Sequence, residues 1–66
     1  MFNANKLKSL IVLNGLSQKE FAEKIGMNEA TLYRKMKANG NFLRGEIDTI
    51  LTVLKIDDPK EIFFAK

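Results

Sequence analysis

Residues 18–36 read QKEFAEKIGMNEATLYRKM, and the folding of this stretch decides the folding of the chain. Phe21, Ala22 and Ile25 make one apolar helical face, Gly26 interrupts it, and Leu32 and Met36 resume it four residues apart. Ser17 and Glu20 fit a capping box, which opens the first of two helices. Asn28 is a good N-cap for the second. Two helices crossing at roughly 90–120° through a short turn approach too closely for a large side chain at Ala22. Gly26 supplies a turn conformation that a Cβ would penalise. Met27 and Leu32 then anchor the second helix on the first. A generic helical hairpin has no need of this set at this spacing.

Outside this pair the pattern stays helical, with no strand-like alternation. Leu7, Leu10 and Ile11 form the inner stripe of a first helix that starts near Asn5 and ends at Gly15, in a left-handed cap. Val12 falls off that stripe, as a stray surface residue or as part of a contact patch. Gly40 is expected in the C′ position of the third helix. Ile47, Ile50, Leu51 and Leu54 mark a fourth helix with an unusual start: Leu43 stands where Ser, Thr or Asp would cap, and Gly45 weakens the first turn. In DDPKEIFF, Asp58 caps a short fifth helix, Pro59 takes its first position and Glu61 completes the box. Ile62 and one of Phe63 and Phe64 are expected to close the core, since consecutive helical side chains point in different directions. The expectation is an all-α fold of five helices, a single domain over residues 1–66, with the helical pair at about 17–39.

Composition narrows the function. The 66 residues include no Cys and no His, which removes disulfides, thiolate or imidazole metal sites and the commonest nucleophiles. Adjacent Asp57 and Asp58 suit a cap and a turn better than paired catalysis, and no phosphate-binding glycine loop occurs. An enzyme is therefore the weakest class, and no cofactor or metal is expected. The apolar run Leu10–Leu13 is too short for a signal peptide, and no stretch approaches a membrane span, so a cytoplasmic protein is expected. The net charge of +3 is unevenly spread: residues 1–44 carry eight Lys/Arg against three Glu, while residues 45–66 carry three Lys against five acids. Between Ala30 and Gly45 lie Arg34, Lys35, Lys37 and Arg44 with no acid. Charge alone fits a solvated basic face as well as a nucleic-acid surface.

The stretch LSQKEFAEKIGMNEATLYRKM resembles the helix-turn-helix of the Cro/CI-type phage repressor family, also called lambda-repressor-like or XRE. The resemblance covers nearly the whole chain, with NGNFLRGEIDTILTVLKI where the family has its fourth helix. The LYRKM and EIFF patterns look most like small regulators of phages of low-GC Gram-positive bacteria. The resemblance implies a sequence-specific regulator, Cro-like, that binds operator DNA with helix 3 in the major groove. A weak homodimer formed mainly on DNA would suit a near-palindromic operator. The alternative is an antirepressor, modulator or antitoxin that keeps the scaffold but binds a protein such as a repressor. The acidic last third, the Phe63–Phe64 pair and Val12 suit that alternative.

Carried over residue by residue, the resemblance gives Gln18 a phosphate, gripped by its amide and the helix N-terminus. Asn28 would touch backbone or the first base, although capping alone justifies it. Glu29, Ala30 and Arg34 match the base-reading positions, and Thr31 and Tyr33 flank them, within reach of a thymine methyl or a phosphate. Lys37, Asn39, Asn41 and Arg44 would hold phosphates around the following loop. Arg34 is the strongest candidate, because a guanidinium can pair bidentately with guanine O6 and N7. Glu29 is the puzzle, since a carboxylate can accept from cytosine N4 or simply favour the helix N-terminus. Two residues depart from the family pattern: Leu43 replaces the usual Thr or Ser cap, and Lys35 stands where a branched apolar residue is often buried.

Overall fold

The computed structural model describes residues 2–64, and five helices follow one another: α1 (Ala4–Leu13), α2 (Gln18–Lys24), α3 (Glu29–Lys37), α4 (Arg44–Val53) and α5 (Lys60–Phe63). Helix α1 begins slightly ahead of the expected Asn5, because Asn3 caps it by accepting from the Lys6 N–H at 3.0 Å. Its stripe is as expected at Leu7 and Ile11, both buried, with Leu10 half-buried. Helix α2 opens on the complete Ser17–Glu20 box: Ser17 Oγ accepts from the Glu20 N–H at 3.1 Å, and Glu20 Oε1 accepts from the Ser17 N–H at 3.0 Å. The Ser17 N–H, with the Ser17 hydroxyl beside it, holds the Glu20 carboxyl below the usual range.

Helix α2 ends in a Schellman turn. Gly26, at φ +75°, donates to the Glu23 carbonyl, and Met27 donates to that of Ala22. Phe21, Ala22 and Ile25 are buried beneath it, and Leu32 and Met36 of α3 pack into the same core. Ala22 is 1% exposed, in keeping with the expected close approach of the two helices there.

Helix α3 departs from expectation at its end. Asn39, not Gly40, takes the left-handed C′ position at φ +61°, and Gly40 follows as a second left-handed residue at φ +73° whose N–H returns to the Lys35 carbonyl. Asn tolerates that conformation better than most residues. Gly40 is needed for a separate reason: the Phe2 side chain lies where its Cβ would be.

Helix α4 is held by packing more than by its ends. Ile50 and Leu54 are buried and Ile47 and Leu51 half-buried. Leu43, at the N-cap, is 68% exposed and has no acceptor to offer, so only the return half of a box exists: Glu46 Oε1 accepts from the Leu43 N–H at 2.8 Å. At the other end Lys55 sits at φ +55° in another Schellman turn.

In α5 the N-cap position falls to Pro59, not to Asp58 as expected, and no side chain caps the helix; Asp58 Oδ1 accepts from the Lys60 N–H at 3.0 Å in a turn just ahead of it. The expected box is not made: Glu61 turns instead to Lys6 of α1, at 3.7 Å. Ile62 and Phe63 are buried and Phe64 is 61% exposed, which resolves the phenylalanine pair. Phe63 completes a three-ring cluster with Phe2 and Phe42, with centroids 5.7–6.0 Å apart. Val12 is a surface residue, 72% exposed, beside Leu13 at 79%.

Candidate nucleic-acid interface

Helix α3 has two faces with different composition. Its inner side is Leu32 and Met36. At 100° per residue, Ala30 and Arg34 fall nearly opposite Leu32, with Tyr33 and Lys37 on one flank and Thr31 and Ala38 on the other. Exposure follows this wheel: Ala30, Tyr33, Arg34, Lys37 and Ala38 are exposed and Thr31 is half-buried. Asn28 and Glu29 are exposed at the leading end, where Asn28 Oδ1 accepts from the Thr31 N–H at 2.8 Å. The Asn28 oxygen is thus committed to the cap, and its amide N–H groups remain available to a ligand.

Two solvent-open hollows lie beside this ridge. One, of about 260 Å³, is lined by Ala4 and Lys8 of α1, Gln18 of α2, and Tyr33, Met36 and Lys37 of α3. Lys37 Nζ stands 5.2 Å from the centroid of the Tyr33 ring, one helical turn away. The other, of about 250 Å³, is lined by Thr31, Arg34, Lys35, Ala38 and Asn41. There Arg34 Nη2 donates to Thr31 Oγ1 at 3.2 Å, which draws the guanidinium toward the Thr31 flank. Of the residues expected to bind, Gln18, Tyr33 and Lys37 share the first hollow, and Thr31, Arg34 and Asn41 share the second. Asn28, Glu29, Ala30, Asn39 and Arg44 line neither.

Lys35 has a role that its charge alone did not suggest. Its ammonium meets Glu46 Oε1 at 2.7 Å, both side chains being about a quarter exposed. That hydrogen bond, with a second from the Leu43 N–H, holds the Glu46 carboxyl below the usual range. One carboxylate therefore ties α3 to α4 and caps α4 at the same time. The departure at Lys35 leaves the inner stripe on Leu32 and Met36 and adds an ionic strut beside it. Sequence reasoning also missed Lys8, because nothing local in α1 links it to a helix pair that begins ten residues later.

Among the described residues no group of His, Cys, Asp or Glu is placed to hold a metal ion, and no helix is long and apolar enough to cross a membrane. No curated protein and no solved structure matches the chain. A family model does: that of the Cro/C1-type helix-turn-helix DNA-binding domain matches residues 6–65. With its five helices and its α2–turn–α3 pair, the chain belongs to this family of DNA-binding regulatory domains, which is not a family of enzymes.

Proposed function

We propose that the domain spanning the chain is a sequence-specific transcriptional regulator, a Cro-like repressor of phage or prophage type that works in the bacterial cytoplasm on nucleoid DNA. Helix α3 enters the major groove, and the protein pairs weakly on a near-palindromic operator, from which it excludes polymerase. The observation that carries this reading is the outer face of α3: a ridge of small and polar residues, rich in donors, with a lysine- or arginine-bearing hollow on each side. A ridge that narrow fits between two phosphate backbones, and cations beside it meet them.

In this arrangement Arg34 reads a guanine, and Ala30 leaves room for a base edge or a thymine methyl. Thr31 steadies Arg34 through its hydroxyl. Gln18, Tyr33, Lys37, Asn39, Asn41 and Arg44 meet the backbone, and Asn28 joins them through its amide. Glu29 accepts from a cytosine N4 amine. Glu29→Gln then changes the preferred base at one operator position; if it tightens binding to every DNA alike, Glu29 acts on the helix end and reads nothing.

Exposed Val12 and Leu13, side by side at the end of α1, favour a second reading in which a protein partner is bound. Salt separates the two. Neutralising phosphates makes log K fall steeply with log salt, and an apolar interface lacks that slope. Salt-insensitive binding, or none, to DNA by a chain that co-purifies with a repressor contradicts the proposal.

A further inference from the structure

We infer that the hollow formed where α1, α2 and α4 end docks an acidic, partly apolar protein segment, on a surface that leaves α3 free for DNA. The inference goes beyond the regulator reading and does not depend on it: it gives the chemistry of a partner and the place where it binds. The hollow, of about 380 Å³, is lined by Asn14 and Leu16 just after α1, Lys24 at the end of α2, and Val53 and Lys55 at the end of α4. No residue of α3, or of the loop after it, is among them. Leu16 and Val53 are half-buried and supply the apolar part of the lining, whereas Asn14, Lys24 and Lys55 are exposed. Val12 and Leu13, exposed in the last turn of α1, directly precede Asn14.

Lys55 is the most telling of these residues. The left-handed position after α1 and α2 is held by Gly15 and Gly26, at φ +73° and +75°. After α4 it is held by Lys55 at φ +55°, a conformation that a Cβ penalises. A side chain kept against its backbone preference points to a use for that side chain. Among the described residues neither Lys24 nor Lys55 forms an ion pair, and no carboxylate lines the hollow. Glu20, one helical turn before Lys24, is committed to the Ser17 box. Asn14 Nδ2 donates to the Leu10 carbonyl at 2.8 Å, which leaves the amide oxygen free to accept from a bound backbone. Two ammoniums beside an apolar hollow select carboxylates that flank an apolar side chain. A nucleic-acid backbone would meet the lysines but leave Leu16, Val53, Val12 and Leu13 uncovered.

The test selects from a random pool of short displayed peptides with the full chain, after removal of those that bind Lys24→Glu/Lys55→Glu. Enriched peptides should pair Asp or Glu with Leu, Ile or Phe. A synthetic peptide of that consensus should shift the amide NMR signals of Asn14, Leu16, Lys24, Val53 and Lys55, and bind equally well with DNA present. Lys55→Gly should raise the melting temperature and yet weaken the peptide about 2- to 5-fold, the worth of one exposed ion pair. Lys55→Arg should keep the affinity. Stability and binding that move in opposite directions separate docking from a loss of folded protein. No enrichment, acid-free consensus peptides, or shifts confined to α3 overturn the inference and leave the regulator reading standing. Self-association of the wild type that Lys24→Glu abolishes assigns the surface to a second copy. A lower salt slope of DNA binding in Lys24→Gln assigns it to the DNA backbone, and either result overturns the acidic segment.

Discussion

Helices α3 and α4 have similar lengths, but they are specified in opposite ways. Helix α3 follows an ordinary start: Asn28 caps it through its side chain, and the Gly26 turn before it closes a Schellman motif. Helix α4 breaks the local rules at both ends, with an exposed Leu43 where an oxygen should cap and Lys55 in the left-handed position that suits glycine. What α4 has in exchange is tertiary: buried Ile50 and Leu54, and the Lys35–Glu46 strut to α3. The helix that faces outward must hold its shape by local means, because its outer side has nothing to pack against. A helix that is clamped from within can tolerate poor ends.

Removing the tertiary clamp should have the largest effect. Ile50→Ala deletes a fully buried side chain and should cost about 2–5 kcal/mol, enough to unfold much of a domain whose size makes it marginal. Urea titration measures this, and a loss below about 1 kcal/mol would contradict the dependence of α4 on packing. Repairing the C-terminal end should work in the other direction: Lys55→Gly relieves a left-handed residue and should stabilise the fold by about 1 kcal/mol.

The two N-caps give a matched pair. Asn28→Ala should cost about 1 kcal/mol, and Leu43→Thr should gain roughly 0.5–1 kcal/mol, since Thr supplies the missing acceptor and Leu43 buries little. Equal and small effects at both positions would erase the contrast between the helices. The smallest effect should come from acid. Glu46 has a lowered carboxyl pKa in the folded state, so its contribution is present above the ordinary glutamate range and is lost as pH falls through the lower folded value. The stability difference between wild type and Glu46→Gln should therefore narrow as the solution is acidified below that range. A difference that stays constant would mean that the strut contributes nothing.

The same contrast explains what could be read in the sequence. The α2–turn–α3 unit rests on neighbours within a few residues, such as Ser17 with Glu20, Asn28 with Thr31, and Gly26 with Ala22 four before it. Each has a chemical reason that a linear pattern displays. The end of α3 was misjudged by one residue because Asn39 and Gly40 both accept left-handed geometry and both adopt it. Glu46 gave no signal, since its partner Lys35 lies eleven positions away on another helix. The cluster of Phe2, Phe42 and Phe63 is spread over the whole chain, and nothing local reports it. For the candidate site, helical periodicity gave the inner face of α3, Leu32 and Met36, and the residues of the outer ridge came from the family resemblance. The division of the site into two hollows was not legible, because Lys8 and Asn41 reach it from other parts of the chain.

The central claim is that the outer face of α3 reads DNA sequence, and parallel selection of bound DNA from a random pool by wild type and by Arg34→Ala tests it most directly. The account predicts a near-palindromic motif for the wild type and, for Arg34→Ala, the same motif with the preference for guanine lost at one position per half-site. No enrichment by the wild type, or an identical motif from both proteins, would contradict it.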